Sequence, residues 1–217
     1  MYNTLSFYGS HDASVTFLDE SGEFVIIEFE RFVKKRYAAF TSSFDEEDYK
    51  NSLGVPDSVR LEFLKFLKEK LNREIHKILY MGLNKKDKEV ISEFFPNVEF
   101  KLMEHHVSHA RCAFHQSSFD EALIFSIDGG GIDYDGAATT KVFMAKGNKI
   151  ELLSSIQVDF GNAYSAIGFF ISEIKSDHTG QWFPLSSAGK VMGLSAYGNI
   201  IDSWKKNMSL FYANLYR

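Results

Sequence analysis

The chain has 217 residues, of which 45% are hydrophobic and 24% are charged, a balance typical of one large or two small globular domains. Its 24 basic and 29 acidic residues give a formal net charge of −5, so we expect neither nucleic acid nor an anionic membrane as a partner. The single cysteine, the lack of a signal-peptide pattern and the absence of any apolar run near 18 residues long predict a cytoplasmic protein without a membrane-spanning helix.

Three short strands are predicted at the start of the chain. Apolar and β-prone residues indicate strands over Thr4–Tyr8, Ser14–Leu18 and residues 23–30, and the polar turn that ends at Gly22 is typical of a hairpin. The next predicted elements are a loop over residues 41–54, a helix from Pro56 to Leu71, a strand over 76–81, a helix over 85–95, a strand over 98–102 and a helix over His105–Gln116.

The second half of the chain repeats the opening pattern. Strands are predicted over residues 122–128, 137–145 and Lys149–Ile156, with a glycine-rich turn over 129–135 and a helix over 162–174. A unit of three strands and a helix therefore occurs at residues 3–71 and again at 122–174, which indicates an internal repeat, although two unrelated hairpins would look alike.

A helical tail is predicted over residues 199–217. Its apolar residues recur at alternating spacings of three and four, the pattern of an amphipathic helix: Ile201, Trp204, Met208, Phe211 and Leu215. No strands follow the second copy of the repeat, so we expect an open sheet edge. The tail would either fold back on this incomplete copy or pair with another chain, identical or different, and we expect association.

The densest group of candidate ligands is the run of residues 104–109. On a helix that turns by about 100° per residue, His105 and His109 lie on one face, away from the apolar side. Two histidines at this spacing can bind one divalent metal ion with further ligands from elsewhere. His106 with His109 is a second candidate pair, and ordinary helix histidines that bind no metal explain the pattern equally well.

A carboxylate and three glycines follow the first strand of the second copy. Asp128 at the strand end suits a metal or a metal-bound phosphate, and the glycines allow backbone N–H groups to approach phosphate oxygens. The sequence matches neither the Walker A motif nor the Rossmann fingerprint. A flexible hairpin turn is the alternative.

The matching turn of the first copy contains His11 and Asp12, which could bind a phosphate or polarise a carbonyl group. A turn stabilised by the Asp12 side chain is the equally good alternative. A basic run that ends at Arg36 follows the third strand. It is either a solvated segment or a local patch for an anionic ligand.

Six motifs occur together in the order found in one family. They are residues 11–14 (HDAS), 30–32 (ERF), 105–110 (HHVSHA), 128–129 (DG), 164–167 (YSAI) and 190–198 (KVMGLSAYG). With these motifs the chain resembles the O-carbamoyltransferases of the nodulation-protein and antibiotic-tailoring type. The last motif is the most specific, and the resemblance covers about residues 5–198, the front part of the family's longer chain.

The resemblance implies an α/β fold of the actin-like ATPase type, built from duplicated ribonuclease-H-like units. Residues 1–118 would form a complete first lobe and residues 119–198 the start of an incomplete second lobe, followed by the tail at 199–217. This duplication would explain the internal repeat.

The resemblance also implies a reaction and a set of site residues. Carbamoyl phosphate and ATP would give carbamoyl-adenylate in a C-terminal domain, and the front domain would transfer the carbamoyl group to a hydroxyl of a small metabolite. A divalent metal, expected to be iron, would bind His105, His109 and an aspartate beyond residue 217, and would anchor the nucleotide phosphates. Catalytic roles would fall to His11, Asp12 and Arg36, and nucleotide contacts to Asp128, Gly129, Gly130, Gly131 and Lys190.

Two departures from the family pattern affect the expected activity. The family's basic segment has an arginine and then Lys-His where this chain has Lys34 and then Arg36-Tyr37, and arginine does not replace lysine neutrally. The carbamoyl-adenylate domain is absent from the sequence, so we expect the chain alone to be inactive and to need a partner chain. A sugar-kinase-type phosphotransferase and a non-enzymatic nucleotide- and metal-binding protein are the alternatives.

Overall fold

The computed structural model describes residues 3–41, 53–157, 159–175 and 183–215. The chain divides into two compact units, Met1–Glu104 and His105–Arg217. Most of the loop predicted over residues 41–54 lies outside the described residues. Among the helices that are described, none is long and apolar enough to cross a membrane.

The first unit is built on a five-stranded mixed sheet. Its elements are β1 (Thr4–Tyr8), β2 (Ser14–Leu18), β3 (Phe24–Glu28), α1 (Phe29–Val33), α2 (Asp57–Leu71), β4 (Lys77–Met81), α3 (Lys85–Phe94) and β5 (Glu99–Leu102). The strand order is β3-β2-β1-β4-β5. Strands β1 to β3 pair antiparallel, whereas β1, β4 and β5 run parallel. The sequence therefore predicted these strands well, except that the third ends at Glu28, immediately before α1.

Aromatic side chains dominate the core of this unit. Leu5 and Phe7 alternate inward from β1, as the two-residue period of a strand requires. Phe29, Phe40 and Phe63 are fully buried and meet edge to face or tilted, with ring centroids 4.7–6.2 Å apart. Phe40 also meets Phe7 of β1, with ring centroids 4.9 Å apart, so the cluster joins α1 and α2 to the sheet.

The second unit carries a three-stranded antiparallel sheet. Its elements are α4 (His105–Gln116), β6 (Glu121–Asp133), β7 (Gly136–Lys146), β8 (Lys149–Ile156), α5 (Phe160–Ile167), a 3₁₀ turn (Gly168–Phe170), α6 (Ser172–Lys175), α7 (Phe183–Ser195) and α8 (Asp202–Leu215). The strand order is β6-β7-β8. Both units thus begin their sheet with an antiparallel three-stranded meander followed by a helix, as the repeated pattern predicted.

Several predicted elements of this unit need correction. Strand β6 continues to Asp133, so the glycines at residues 129–131 lie within a strand and the turn is Tyr134-Asp135. The helix predicted over 162–174 is instead α5, a 3₁₀ turn at Gly168–Phe170 and α6. Helix α7 was not predicted, because its glycines and serines interrupt the helical spacing of its apolar residues.

The division between the units falls before α4, whereas the first lobe was predicted to end at residue 118. Helix α4 packs on β6 and so belongs with the second unit. The partition into ribonuclease-H-like lobes and a tail stays a prediction. In the tail helix α8, Trp204 is 63% exposed, and the side chains of Met208, Phe211 and Leu215 lie outside the described residues.

Candidate metal centre

Three potential metal ligands converge at the start of α4. The Nε2 atoms of His105 and His109 lie 2.6 and 3.2 Å from Oδ2 of Asp128, and 3.2 Å from each other. The pair was predicted from its helical spacing, and Asp128 was predicted only for the phosphate region. The structure thus brings together two predicted ligands and one predicted phosphate-site residue.

A bulge in β6 places Asp128 beside the helix. Ile127 pairs with Thr140 and Gly131 pairs with Ala138, so residues 128–130 stand opposite the single residue Thr139. The extra residues leave the ladder and turn the carboxylate of Asp128 toward α4. Gly130 has a φ of +151°, a conformation that glycine adopts more readily than other residues.

The bulge is held on its other side by the start of α5. The side-chain amide of Asn162 donates to the carbonyl oxygen of Gly129 at 2.9 Å and to Asp159 at 2.7 Å. A Cβ on Gly161 would lie 2.7 Å from the nitrogen of Gly129, so the two backbones touch directly. This contact could not be predicted from local sequence patterns, because it joins residues more than thirty positions apart.

The electrostatics of the cluster favour a bound cation. Hydrogen bonds from His105 and then His109 hold the pKa of the Asp128 carboxyl well below its usual range. The hydrogen bond to Asp128 raises the pKa of His109 above its ordinary value, against the opposing effect of partial burial. The carboxylate is therefore ionised at neutral pH and attracts positive charge, either a proton on the imidazole or a metal ion.

His106 is excluded as a ligand. It is fully buried, and its Nδ1 and Nε2 atoms lie 2.8 Å from the Ser126 hydroxyl and 2.9 Å from the carbonyl oxygen of Ala138. The carbonyl can only accept, so Nε2 carries the proton and Nδ1 accepts from the serine. The alternative pair of His106 with His109 is therefore wrong, because both ring nitrogens of His106 are already in use.

The donor set fits a divalent transition metal. Imidazole nitrogens and a carboxylate oxygen suit iron and zinc, and two ligands about 2.1 Å from a metal lie roughly 3.0–3.4 Å apart. The separations of 3.2 Å match this range, and the 2.6 Å pair is a direct hydrogen bond that a metal would replace. His109 is 57% exposed, so the open side of the cluster leaves room for further ligands.

The other predicted catalytic residues lie in the first unit. His11 Nδ1 lies 2.8 Å from the Asp12 carboxylate, and both side chains are exposed. Backbone hydrogen bonds from Ala13 to the Ala38 carbonyl and from Phe40 to the Gly9 carbonyl join this turn to the segment that follows Arg36. The Arg36 guanidinium lies 4.8 Å from the centre of the Tyr37 ring.

The remaining predicted residues lie in the second unit. Gly129 donates its N–H to Oδ1 of Asp128 at 2.6 Å, and Lys190 lies half-buried on α7. The nucleotide-binding roles of the glycines and of Lys190 stay predictions. Asp133, Lys141 and Asn162 were missed, because the contacts that make them important join elements that are distant in sequence.

The chain matches a curated relative, a solved structure and a family model. A stretch of 102 residues is 34% identical to the uncharacterized protein MJ1051 of Methanocaldococcus jannaschii, and this match covers 46% of the chain and 17% of that relative. The crystal structure of full-length HypF in its phosphate- and nucleotide-bound form matches with a TM-score of 0.44 and 10% identity, over 70% of the chain and 18% of HypF. The chain thus spans less than a fifth of either protein. Residues 50–217 match the family model described as the carbamoyltransferase N-terminus, and the chain therefore belongs to that family.

Proposed function

We propose that the chain is the N-terminal part of an enzyme that transfers a carbamoyl group from carbamoyl-adenylate to a hydroxyl group of a small metabolite. The carbamoyl-adenylate is made from carbamoyl phosphate and ATP outside this chain. The observation that carries the proposal is the cluster of His105, His109 and Asp128 at the glycine-containing bulge. Membership of the carbamoyltransferase N-terminus family supports it independently.

The cluster would hold the metal that the family resemblance implies. His105, His109 and Asp128 would supply two nitrogen ligands and one oxygen ligand, and the metal would supply positive charge that neutralises a nucleotide phosphate. Beside them, the bulge offers backbone with little side-chain cover, because a Cβ on Gly130 would meet nothing within 4 Å. A phosphate oxygen can approach such a backbone closely.

The transfer step follows from the charges that develop. The acceptor oxygen forms a bond to the carbamoyl carbon, the bond from that carbon to the adenylate oxygen breaks, and AMP leaves. His11 would take the proton of the acceptor hydroxyl, because Asp12 orients the imidazole through Nδ1 and leaves Nε2 to accept it. Arg36 would stabilise the negative charge on the carbamoyl oxygen.

Metal-dependent binding of AMP, the leaving group, tests this proposal. Calorimetric titration of AMP into the chain with Fe²⁺ under anaerobic conditions should show binding that disappears without metal and in His105→Ala. His115→Ala is the matched control, since His115 is an exposed residue of the same helix. AMP binding that is unchanged without metal and in His105→Ala would contradict the proposal.

A second assay separates the transferase from a non-enzymatic binding protein. The chain is mixed with ¹³C-labelled carbamoyl phosphate, ATP, Fe²⁺, a panel of hydroxyl acceptors and the adenylate-forming part of a carbamoyltransferase. Labelled carbamoyl ester, detected by mass spectrometry, should form only when both proteins are present. AMP binding without any product would favour the alternative, a nucleotide- and metal-binding module.

A further inference from the structure

A buried ion pair lies at the end of β6. Lys141 Nζ lies 2.8 Å from Oδ2 of Asp133, and the two side chains are 2% and 0% exposed. Lys141 also bonds to the half-exposed Asp135. Burying two charges costs solvation energy that their attraction often does not recover, so net stability is a poor explanation for such a pair.

The second oxygen of Asp133 reaches the helix that carries the metal ligands. Oδ1 accepts a hydrogen bond of 3.1 Å from the backbone N–H of His106. This N–H lies in the first turn of α4, where backbone donors have no acceptor within the helix. The carboxylate of Asp133 therefore acts on α4 as a capping side chain does, but from a neighbouring strand.

His106 is also anchored through its side chain. The ring of His106 is held by Ser126 of β6 and by the carbonyl oxygen of Ala138 of β7. Ser126 lies two residues before Asp128, so the strand that presents the carboxylate ligand also fixes the helix that presents the imidazoles. The first turn of α4 is thus fixed through both the amide and the ring of one residue.

We propose that Asp133 is a positioning residue for the metal centre, acting through the amide of His106 to hold His105 and His109 against Asp128. Lys141, 2.8 Å from Oδ2 of Asp133, holds the carboxylate in the orientation that points Oδ1 at the helix. This inference rests on the metal site of the proposed function and adds the residues that orient its ligands. Groups that orient metal ligands typically change metal affinity by about 10- to 100-fold when they are removed.

Two double variants isolate the hydrogen bond from the charges. Asp133→Asn with Lys141→Met removes both charges but keeps an oxygen that can accept from His106. Asp133→Leu with Lys141→Met removes the charges and the acceptor together. Replacing both members of a buried pair with residues of similar size is often neutral for stability, so both variants should fold. If the leucine variant does not fold, Asp133→Ala with Lys141→Met makes the same comparison.

The probe is Co²⁺ alone, titrated into each full-length variant and followed by its visible absorption bands. We expect the asparagine variant to bind Co²⁺ within about threefold of the original chain and the leucine variant to bind about 10- to 100-fold more weakly. Amide hydrogen exchange at His106 should accelerate in the leucine variant and stay slow in the asparagine variant. Circular dichroism confirms that α4 and the sheet remain folded in both.

Equal Co²⁺ affinity in the two double variants, or slow exchange at His106 in both, would overturn the positioning role. A chain that binds no Co²⁺ even without substitutions would overturn the proposed metal site instead. Hydrogen exchange would then still decide whether Asp133 holds the helix.

Discussion

Substituting Gly131 by alanine should weaken metal binding without removing a ligand. A Cβ at this position would overlap the imidazole carbons of His105 and lie 2.9 Å from its Nε2 atom, whereas ordinary contacts between carbon atoms are about 3.5–4.0 Å. Gly131 is paired with Ala138 in the sheet, so the strand resists moving and the ring has to retreat by about 1 Å.

A shift of this size exceeds what a metal–nitrogen bond of about 2.0–2.1 Å tolerates. We therefore expect Gly131→Ala to bind Co²⁺ about 10- to 100-fold more weakly, the range seen when ligand orientation is disturbed. The assay is the Co²⁺ absorption titration. Its control is Gly189→Ala, where a Cβ would meet nothing within 4 Å. Unchanged affinity in Gly131→Ala would refute the close packing of the strand against His105.

Three further outcomes follow from the structure. Co²⁺ affinity should rise by about tenfold or more from pH 6 to pH 8, because Asp128 raises the pKa of His109 and a protonated imidazole cannot bind metal; equal affinities would contradict this. Asp87→Ala should lower the free energy of unfolding by about 1.5–3 kcal/mol in urea, because the buried Arg60 then keeps only its ion pair with the half-exposed Asp57; a loss below 1 kcal/mol would contradict it. Phe63→Ala should cost about 3–5 kcal/mol in the same assay, and Phe24→Ala, whose ring is 64% exposed, far less.

The sequence predicted those features that depend on local periodicity. Strands β1, β2 and β8 and helix α4 have the predicted bounds, because alternating or helical apolar patterns are set by neighbouring residues. The pairing of His105 with His109 follows from the same helical period. Residues 129–131 were misassigned to a turn, because glycine marks turns and bulges alike and only the pairing partner distinguishes them.

The rest of the site depends on contacts between distant parts of the chain. Asp128 becomes a third candidate ligand only because the bulge opposite Thr139 turns it toward α4. Ser126 and Ala138 form hydrogen bonds with both ring nitrogens of His106, which leaves His105 as the partner of His109. No local pattern contains these contacts, so the sequence left the two histidine pairs open.

Anomalous diffraction from crystals grown with Fe²⁺ or Co²⁺ tests the metal centre most directly. We expect one strong peak among the residues that the structure describes, with Nε2 of His105, Nε2 of His109 and Oδ2 of Asp128 each about 2.0–2.2 Å away. A peak bound through His106, or no peak between α4 and the β6 bulge at saturating metal, would contradict a metal centre built on His105, His109 and Asp128.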